Sequence, residues 1–125
     1  MNRLIATALA CGIALTLAGQ ASAAGDPAKG KRVFNKCKAC HSLKPGKKRI
    51  GPSLYGVFGR TSGTAKGFKY SKAMKKAAVV WDEKTMDRFI TKPRKMIKRT
   101  RMAFPGIKKA SDRENLIAYL KQAAK

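Results

Sequence analysis

Five consecutive residues, Cys37-Lys38-Ala39-Cys40-His41, constrain this chain more than any other feature of its sequence. Two cysteines three positions apart on a helical turn can reach the two vinyl groups along one edge of a haem and form thioether bonds with them. The adjacent histidine then lies beneath the iron and donates a ring nitrogen to it. The pattern therefore predicts one covalently attached haem, held by Cys37 and Cys40 and ligated by His41.

The first 23 residues are typical of an export signal. Arg3 supplies the positive start, Leu4–Ala18 is an apolar segment, and Ala21-Ser22-Ala23 is a small-residue cleavage pattern. The apolar segment is shorter than the roughly 20 residues that a membrane span needs, so cleavage is favoured over an uncleaved anchor. We therefore predict a signal peptide over residues 1–23, a single domain over residues 24–125, and export to the periplasm.

Zinc binding, dithiol redox chemistry and a disulfide are the alternatives for the motif. A structural zinc site needs about four N, S or O ligands. After removal of residues 1–23, the chain has two cysteines and one histidine, all within the motif, and few carboxylates. A thioredoxin-like motif belongs in a βαβ pattern, which is missing. A disulfide between Cys37 and Cys40 would make His41 incidental. Haem attachment is the favoured interpretation.

The charge balance is strongly basic. The chain has 29 lysine and arginine residues against 6 acidic ones, and of these only Arg3 leaves with the predicted signal peptide. Such a field attracts nucleic acid, membrane headgroups or acidic protein faces. Export argues against nucleic acid, which leaves acidic proteins and, for transient contact, an anionic membrane surface.

Short helices separated by long loops are predicted from the turn signals. Helices are expected to begin where a capping residue or a proline precedes an apolar helical pattern. These starts are Asp26-Pro27, Ser71, Asp82, Pro93 and Ser111, the last forming a capping box with Glu114. The β-like run at residues 78–81 is too short to build a sheet. The chain is therefore predicted to be all-α, with loops long enough to wrap a haem.

Four further segments follow the motif along the chain. They are Gly51-Pro52-Ser53-Leu54-Tyr55-Gly56-Val57-Phe58-Gly59-Arg60, Trp81, Thr100-Arg101-Met102-Ala103-Phe104-Pro105-Gly106 and Leu116-Ile117-Ala118-Tyr119-Leu120. With the motif, they make residues 24–125 resemble class I cytochrome c, both the small bacterial cytochromes c2 and mitochondrial cytochrome c. The resemblance implies short helices and loops around one haem, with Gly30 and Phe34 of the first helix crossing Tyr119 of the last. It also implies a one-electron carrier that cycles between Fe(III) and Fe(II) and is not an enzyme.

The sixth iron ligand is expected to be a methionine, because residues 24–125 contain no second histidine. Met74, Met86 and Met96 fall on apolar helix faces, where methionine usually fills the core. Met102 lies in a non-helical segment, where the resemblance places the axial methionine. A thioether ligand raises the reduction potential of the iron. Met102 is therefore the predicted ligand.

The resemblance implies roles for four more residues. The Pro52 carbonyl would accept a hydrogen bond from the free ring N–H of His41 and so orient the ring. Arg60, Tyr70 and Trp81 would surround a haem propionate. Ordinary core packing is the alternative for Tyr70 and Trp81, and the two interpretations are compatible.

The loop before Met102 departs from the mitochondrial pattern. Met96 stands in place of a tyrosine, and Lys98 and Arg99 replace a proline and a glycine; elsewhere Met74 replaces an asparagine. These changes remove hydrogen-bonding groups near the iron–sulfur bond and make the loop more flexible. A haem enzyme or sensor, such as a peroxidase that is active when the loop detaches, is therefore the main alternative function.

Partner proteins are also implied by the resemblance. The expected partners are acidic faces of an oxidase, a bc1-type complex, a photosynthetic reaction centre or a periplasmic dehydrogenase, and the carrier itself is expected to be a monomer. A third hypothesis for the function is a basic binding protein in which the haem is only structural.

Overall fold

Helices joined by long loops make up the computed structural model, which describes residues 24–125; the predicted signal peptide, residues 1–23, lies outside the described residues. The α-helices are α1 (Pro27–Val33), α2 (Lys72–Ala77), α3 (Glu83–Thr91), α4 (Pro93–Met96) and α5 (Ala110–Ala123), and a 3-10 turn, Phe34–Lys36, follows α1. Within the described range, β pairing is limited to one isolated bridge between Thr61 and Val80. The all-α prediction is confirmed.

Three helices begin at the predicted capping residues. The Asp26 carboxylate accepts hydrogen bonds from two backbone amides in the first turn of α1. The Ser71 hydroxyl accepts one from the Met74 amide at 3.0 Å. Asp82 and Thr85 form a reciprocal capping box at the start of α3. These hydrogen bonds satisfy amides that have no partner inside the helix, and α4 begins at the predicted proline.

The predicted capping box at Ser111 and Glu114 is wrong. Helix α5 begins at Ala110, and its N-cap position makes no side-chain hydrogen bond. Ser111 therefore lies inside the first turn. The Arg113 guanidinium holds this end of the helix instead, because it donates to two carbonyls just before α5 and to the Asp87 carboxylate at 2.7 Å. This end of α5 is therefore held by a contact between distant parts of the chain.

Helix α1 crosses α5 at close range, as the resemblance implied. A Cβ on Gly30 would overlap the Asn115 carbonyl and lie 2.7 Å from the Tyr119 Cβ. The rings of Phe34 and Tyr119 are 5.6 Å apart between centroids. The Asp26 amide donates to the Asn115 side chain at 2.7 Å. The first and last helices are therefore joined by both backbone proximity and side-chain contacts.

A single hydrophobic core lies between α3, α5 and the loops. Its buried members include Trp81, whose ring lies 4.9 Å from that of Phe89. The loops add buried apolar residues, among them Val57, Ile97 and Ile107. No helix within residues 24–125 is long and apolar enough to cross a membrane. The core thus supports two long loops, residues 37–71 and 97–109, that carry the candidate site.

Candidate functional site

The C-x-x-C-H motif forms a tight turn directly after the 3-10 turn. The Cys37 carbonyl accepts hydrogen bonds from the amide of Cys40 at 3.0 Å and from that of His41 at 2.9 Å. Both cysteines are half-buried, and they are not joined by a disulfide. One turn of backbone therefore carries two thiols and an imidazole.

His41 is held in one orientation by the two residues that follow the motif's loop. Its Nδ1 lies 2.8 Å from the Pro52 carbonyl oxygen, which can only accept, so Nδ1 carries the proton and Nε2 has a free lone pair. On the other side, a Cβ on Gly51 would lie 2.5 Å from the imidazole Cε1. The glycine therefore lets the backbone lie against the ring. This is the tautomer and support that a metal-binding histidine needs.

Burial keeps the His41 ring neutral. Desolvation lowers the pKa of the imidazole, the hydrogen bond to Pro52 opposes that change, and the charge of Arg60 adds to it. A neutral imidazole is the form that binds a metal ion. The electrostatics of the site therefore agree with the tautomer that the hydrogen bond selects.

The Cys37 thiol is protonated at neutral pH. Burial, helped by the neighbouring Cys40, raises the pKa of the Cys37 thiol to about 11, with Lys36 opposing. Dithiol redox motifs work through a cysteine whose pKa is lowered, so this environment disfavours that alternative. Among residues 24–125, no three or more His, Cys, Asp or Glu side chains are grouped to hold a metal ion.

Met102 lies in an irregular loop whose preceding residues are held by hydrogen bonds. Its side chain is half-buried and packs against the hydrophobic core. Its amide donates to the buried Thr100 hydroxyl at 3.3 Å. The neighbouring Arg101 donates to the Lys69 carbonyl at 2.6 Å, which joins this loop to residues 63–70. The thioether is thus presented from a segment with several tertiary contacts.

Arg99 adopts a backbone conformation that favours glycine. Its φ is +64°, in the left-handed region that L-residues with a Cβ adopt at a cost. This residue stands where the mitochondrial pattern has a glycine. The loop before Met102 therefore keeps the conformation that suits a glycine and carries an arginine in it.

Arg60 links several of the predicted site residues. Its guanidinium donates to the carbonyls of Ser53 at 3.0 Å and Tyr55 at 3.1 Å. Its positive charge reaches His41 and Tyr70, where it acts on both titrating groups. The structure therefore places Arg60 between the motif's loop and the segment that carries Tyr70.

Tyr70 and Trp81 occupy different environments. The Tyr70 hydroxyl accepts a hydrogen bond from the Ala65 amide at 3.3 Å, and burial raises the pKa of the phenol while Arg60 opposes the change. Trp81 is buried, and its backbone exchanges hydrogen bonds with Gly59 and Arg60. Core packing accounts for the Trp81 ring, which lies against Phe89.

The residues at this site fit a covalent haem. A pair of unlinked thiols can form the thioether bonds, and an imidazole with a free Nε2 and a thioether are ligands that haem iron accepts. Sequence reasoning missed Gly51, Thr100 and the Arg101–Lys69 contact. Gly51 adjoins Pro52, and Thr100 lies two residues before Met102, so closeness to predicted residues was the signal that could have found them. Nothing in the sequence links Arg101 to Lys69.

Known proteins similar in sequence and fold to this chain share one family. The family model for cytochrome c matches residues 27–124. A cytochrome c2 from Rhodoblastus acidophilus is 50% identical over 100 residues, covering 79% of this chain and 94% of the relative. A cytochrome c-554 from Methylosinus trichosporium is 45% identical over 116 residues, covering 91% and 88%. The solved structure of cytochrome cH from Methylobacterium extorquens superposes with a TM-score of 0.74 at 40% identity, covering 78% of this chain and 98% of that one.

Proposed function

Because the chain belongs to the cytochrome c family, we propose that it is a periplasmic carrier that accepts one electron from a redox protein and passes it to another. Family membership gives the chain one covalently attached haem c, whose iron supplies the one-electron Fe(III)/Fe(II) couple. Its relatives are electron carriers rather than enzymes. The observation that carries the proposal is the orientation of His41 between Gly51 and the Pro52 carbonyl.

Four residues hold the haem and its iron. Cys37 and Cys40 form the thioether bonds, and the two iron ligands are His41, through Nε2, and Met102. The half-buried thiols, the neutral imidazole and the tertiary contacts of the Met102 loop support these roles. If His41 and Met102 both ligate the iron, no position would be left open for oxygen or peroxide, and the haem would supply one-electron transfer rather than chemistry on a bound substrate.

Four further residues orient the ligand or surround the haem's carboxylates. Pro52 fixes the ring of His41, as its 2.8 Å hydrogen bond supports. Arg60 offsets the negative charge of a propionate, helped by its position between the two loops. Tyr70 lies near Arg60 and completes this polar region, whereas Trp81 closes it from the core side.

The partner surface is the basic side of the molecule. All six acidic residues lie on or directly before three helices, α1, α3 and α5: Asp26, Asp82, Glu83, Asp87, Asp112 and Glu114. Residues 27–81 and 88–111, which carry the motif and the Met102 loop, contain no acid at all. The side that holds the haem therefore attracts an acidic face of an oxidase, a bc1-type complex, a reaction centre or a dehydrogenase.

The attachment and the axial ligands can be tested on the purified, exported protein. Its intact mass should equal that of residues 24–125 plus one haem, and acid–acetone should not extract the haem. The ferric protein should show the weak far-red absorption of iron–sulfur ligation. Met102→Ala should abolish this absorption, and the control Met96→Ala should keep it.

Two results would contradict the proposal. A protein with extractable haem would remove the covalent assignment, and a far-red band that survives Met102→Ala would place the ligand elsewhere.

Peroxidase turnover separates the carrier from the haem enzyme: the carrier should be nearly inactive with peroxide until Met102 is replaced. Wild-type peroxide turnover as fast as that of Met102→Ala would favour the enzyme.

A further inference from the structure

The loop that carries Met102 ends against the last turn of α3. The Ile107 amide donates to the Ile90 carbonyl at 2.8 Å. This carbonyl is one of the last four of the helix, which have no partner inside it. Just before Ile107, a Cβ on Gly106 would overlap the Thr91 carbonyl oxygen. The end of the loop is therefore in direct backbone contact with α3.

Arg113, in the first turn of α5, joins three parts of the chain at this point. Its guanidinium donates to the carbonyls of Ile107 at 2.9 Å and Lys108 at 2.8 Å, and to the Asp87 carboxylate on α3 at 2.7 Å. The Arg113 side chain is only 13% exposed. A guanidinium with so little access to water needs protein partners, and a carboxylate stabilises its charge most strongly. The Asp87 carboxylate therefore fixes the guanidinium, and the guanidinium fixes the two carbonyls.

We propose that Asp87 and Arg113 act as a positioning pair that holds the end of the Met102 loop against α3 and so keeps the Met102 thioether on the iron. The inference rests on the proposed ligation of the iron by Met102. The pair acts through the carbonyls of residues 107 and 108. Only four residues separate Met102 from Ile107, and one of them is Pro105, whose ring restricts the backbone. A shift of the anchored end is thus transmitted to Met102.

The start of the same loop carries strain that this anchor opposes. Arg99 has a φ of +64°, which costs free energy for a residue with a Cβ. The Arg101 guanidinium holds the loop to the Lys69 carbonyl, but this contact is exposed, so water competes for both groups. Strain before Met102 favours release of the loop, and the better buried contacts after it resist that release.

A second ion pair joins the same two helices and provides a matched control. Glu83 on α3 pairs with Lys121 on α5. Within residues 24–125, neither of these side chains hydrogen-bonds to the loop of residues 97–109. Glu83→Gln and Asp87→Asn therefore remove the same charge from the same helix, and only Asp87→Asn affects the loop. Because the Glu83 pair is the more exposed of the two, Gly30→Ala serves as a second control for a general loss of stability.

The test uses the ferric haem protein and follows the far-red band as the pH is raised. In Asp87→Asn, the midpoint of band loss should fall by about one pH unit, which corresponds to a tenfold easier release of the loop. Arg113→Lys keeps the charge but lacks the planar fork, so it should behave in the same way. In Glu83→Gln and Gly30→Ala, the midpoint should stay within about 0.3 unit of the parent protein, even though Gly30→Ala unfolds at lower urea.

Amide hydrogen exchange at Ile107 is a second measurement, and it does not use the iron. Exchange at this amide should be at least about tenfold faster in Asp87→Asn and should change less than about twofold in Glu83→Gln. Unchanged exchange in Asp87→Asn would overturn the inference, and so would a band midpoint that falls equally in Asp87→Asn and Gly30→Ala. The proposed function fails on a different observation, which is a wild-type protein without the far-red band or a band that survives Met102→Ala.

Discussion

The His41 ring owes its orientation to two neighbours that act in different ways. The Pro52 carbonyl fixes one nitrogen through a hydrogen bond, whereas Gly51 acts only by lacking a Cβ. A hydrogen bond determines which nitrogen is free, and the absent side chain determines where the ring can lie. Both are needed to present Nε2 in a fixed direction.

Replacing Gly51 by alanine should displace this ring. The added Cβ would lie 2.5 Å from Cε1, so the ring or the backbone must shift. Overpacking of this kind costs about 1–3 kcal/mol of stability. Thermal unfolding of the haem protein measures the loss, and the NMR shifts of the His41 ring report its displacement. Gly46→Ala is the control for the ring shifts alone, because a Cβ there meets nothing within 4 Å, although its φ of +63° makes alanine costly there too; an unshifted His41 ring in Gly51→Ala would contradict the argument.

Replacing Arg99 by glycine should stabilise the protein. The left-handed φ of +64° costs a residue with a Cβ roughly 1–2 kcal/mol, and the greater freedom of glycine when unfolded returns part of that. We expect a net gain of about 0.5–1 kcal/mol in the free energy of unfolding. The pH at which the far-red band is lost should rise as well, because the loop before Met102 is then less strained.

A matched control for Arg99 lies in the helix before it. Arg94 is also exposed and lies in α4, where its backbone is helical. Arg94→Gly should therefore destabilise the protein by about 1 kcal/mol. Opposite signs for the two arginines, measured by urea unfolding, are the expected outcome. The same sign for both would show that the φ of Arg99 stores no strain.

Local features were predictable from the sequence, and long-range ones were not. Asp26, Ser71 and Asp82 act through amides two or three residues away, so their capping roles can be read from adjacent residues. The first turn of α5 is held instead by Arg113 contacting Asp87, which is 26 residues distant in the chain. Similarly, the candidate site was predictable as a set of ligands, but its supporting contacts arise only after folding.

At the scale of elements, the crossing of α1 and α5 is the main contact between helices. It requires a glycine at position 30, because the Asn115 backbone lies where a Cβ would be. Backbone atoms cannot move aside as a flexible side chain can. The two helices must therefore separate if any larger residue stands there.

Gly30→Ala should consequently destabilise the haem protein by about 1–3 kcal/mol or more. This loss exceeds the gain of up to about 1 kcal/mol that alanine normally brings to a helix interior. Urea unfolding followed by the Soret band measures the change. Lys31→Ala, at an exposed position of the same helix, should stay within about 0.5 kcal/mol of the parent protein. A neutral Gly30→Ala would mean that the crossing is looser than described.

At the scale of the whole molecule, charge is distributed unevenly. Several acids on the helical side are already neutralised by partners: Asp87 pairs with Arg113, and Glu83 with Lys121. The loops around the motif have cations without acids. Under the proposed function, this uneven distribution of acids would act mainly on the rate of association with an acidic partner.

Electron transfer to an acidic partner should slow steeply as salt is added, since charges are screened over about 8 Å at physiological ionic strength. Lys36→Glu, next to the motif, should reduce the bimolecular rate about three- to tenfold at low salt. Lys125→Glu, at the end of the chain beyond α5, is the control with the same change of charge and should have a smaller effect. Stopped-flow mixing with the reduced or oxidised partner measures both. A rate that hardly responds to salt would contradict the proposed docking side.

The pairing of the first and last helices also has a consequence for biogenesis. Because α5 contains buried residues such as Leu116 and supplies the surface on which α1 packs, the core cannot close until the final residues of the chain are available. If the chain is exported as proposed, a polypeptide that emerges from its N-terminus could not complete this core while α5 is missing, and it would enter the translocation channel unfolded. The two thiols of the motif would stay accessible for the same interval. Attachment of the haem would then have time to precede burial of its site.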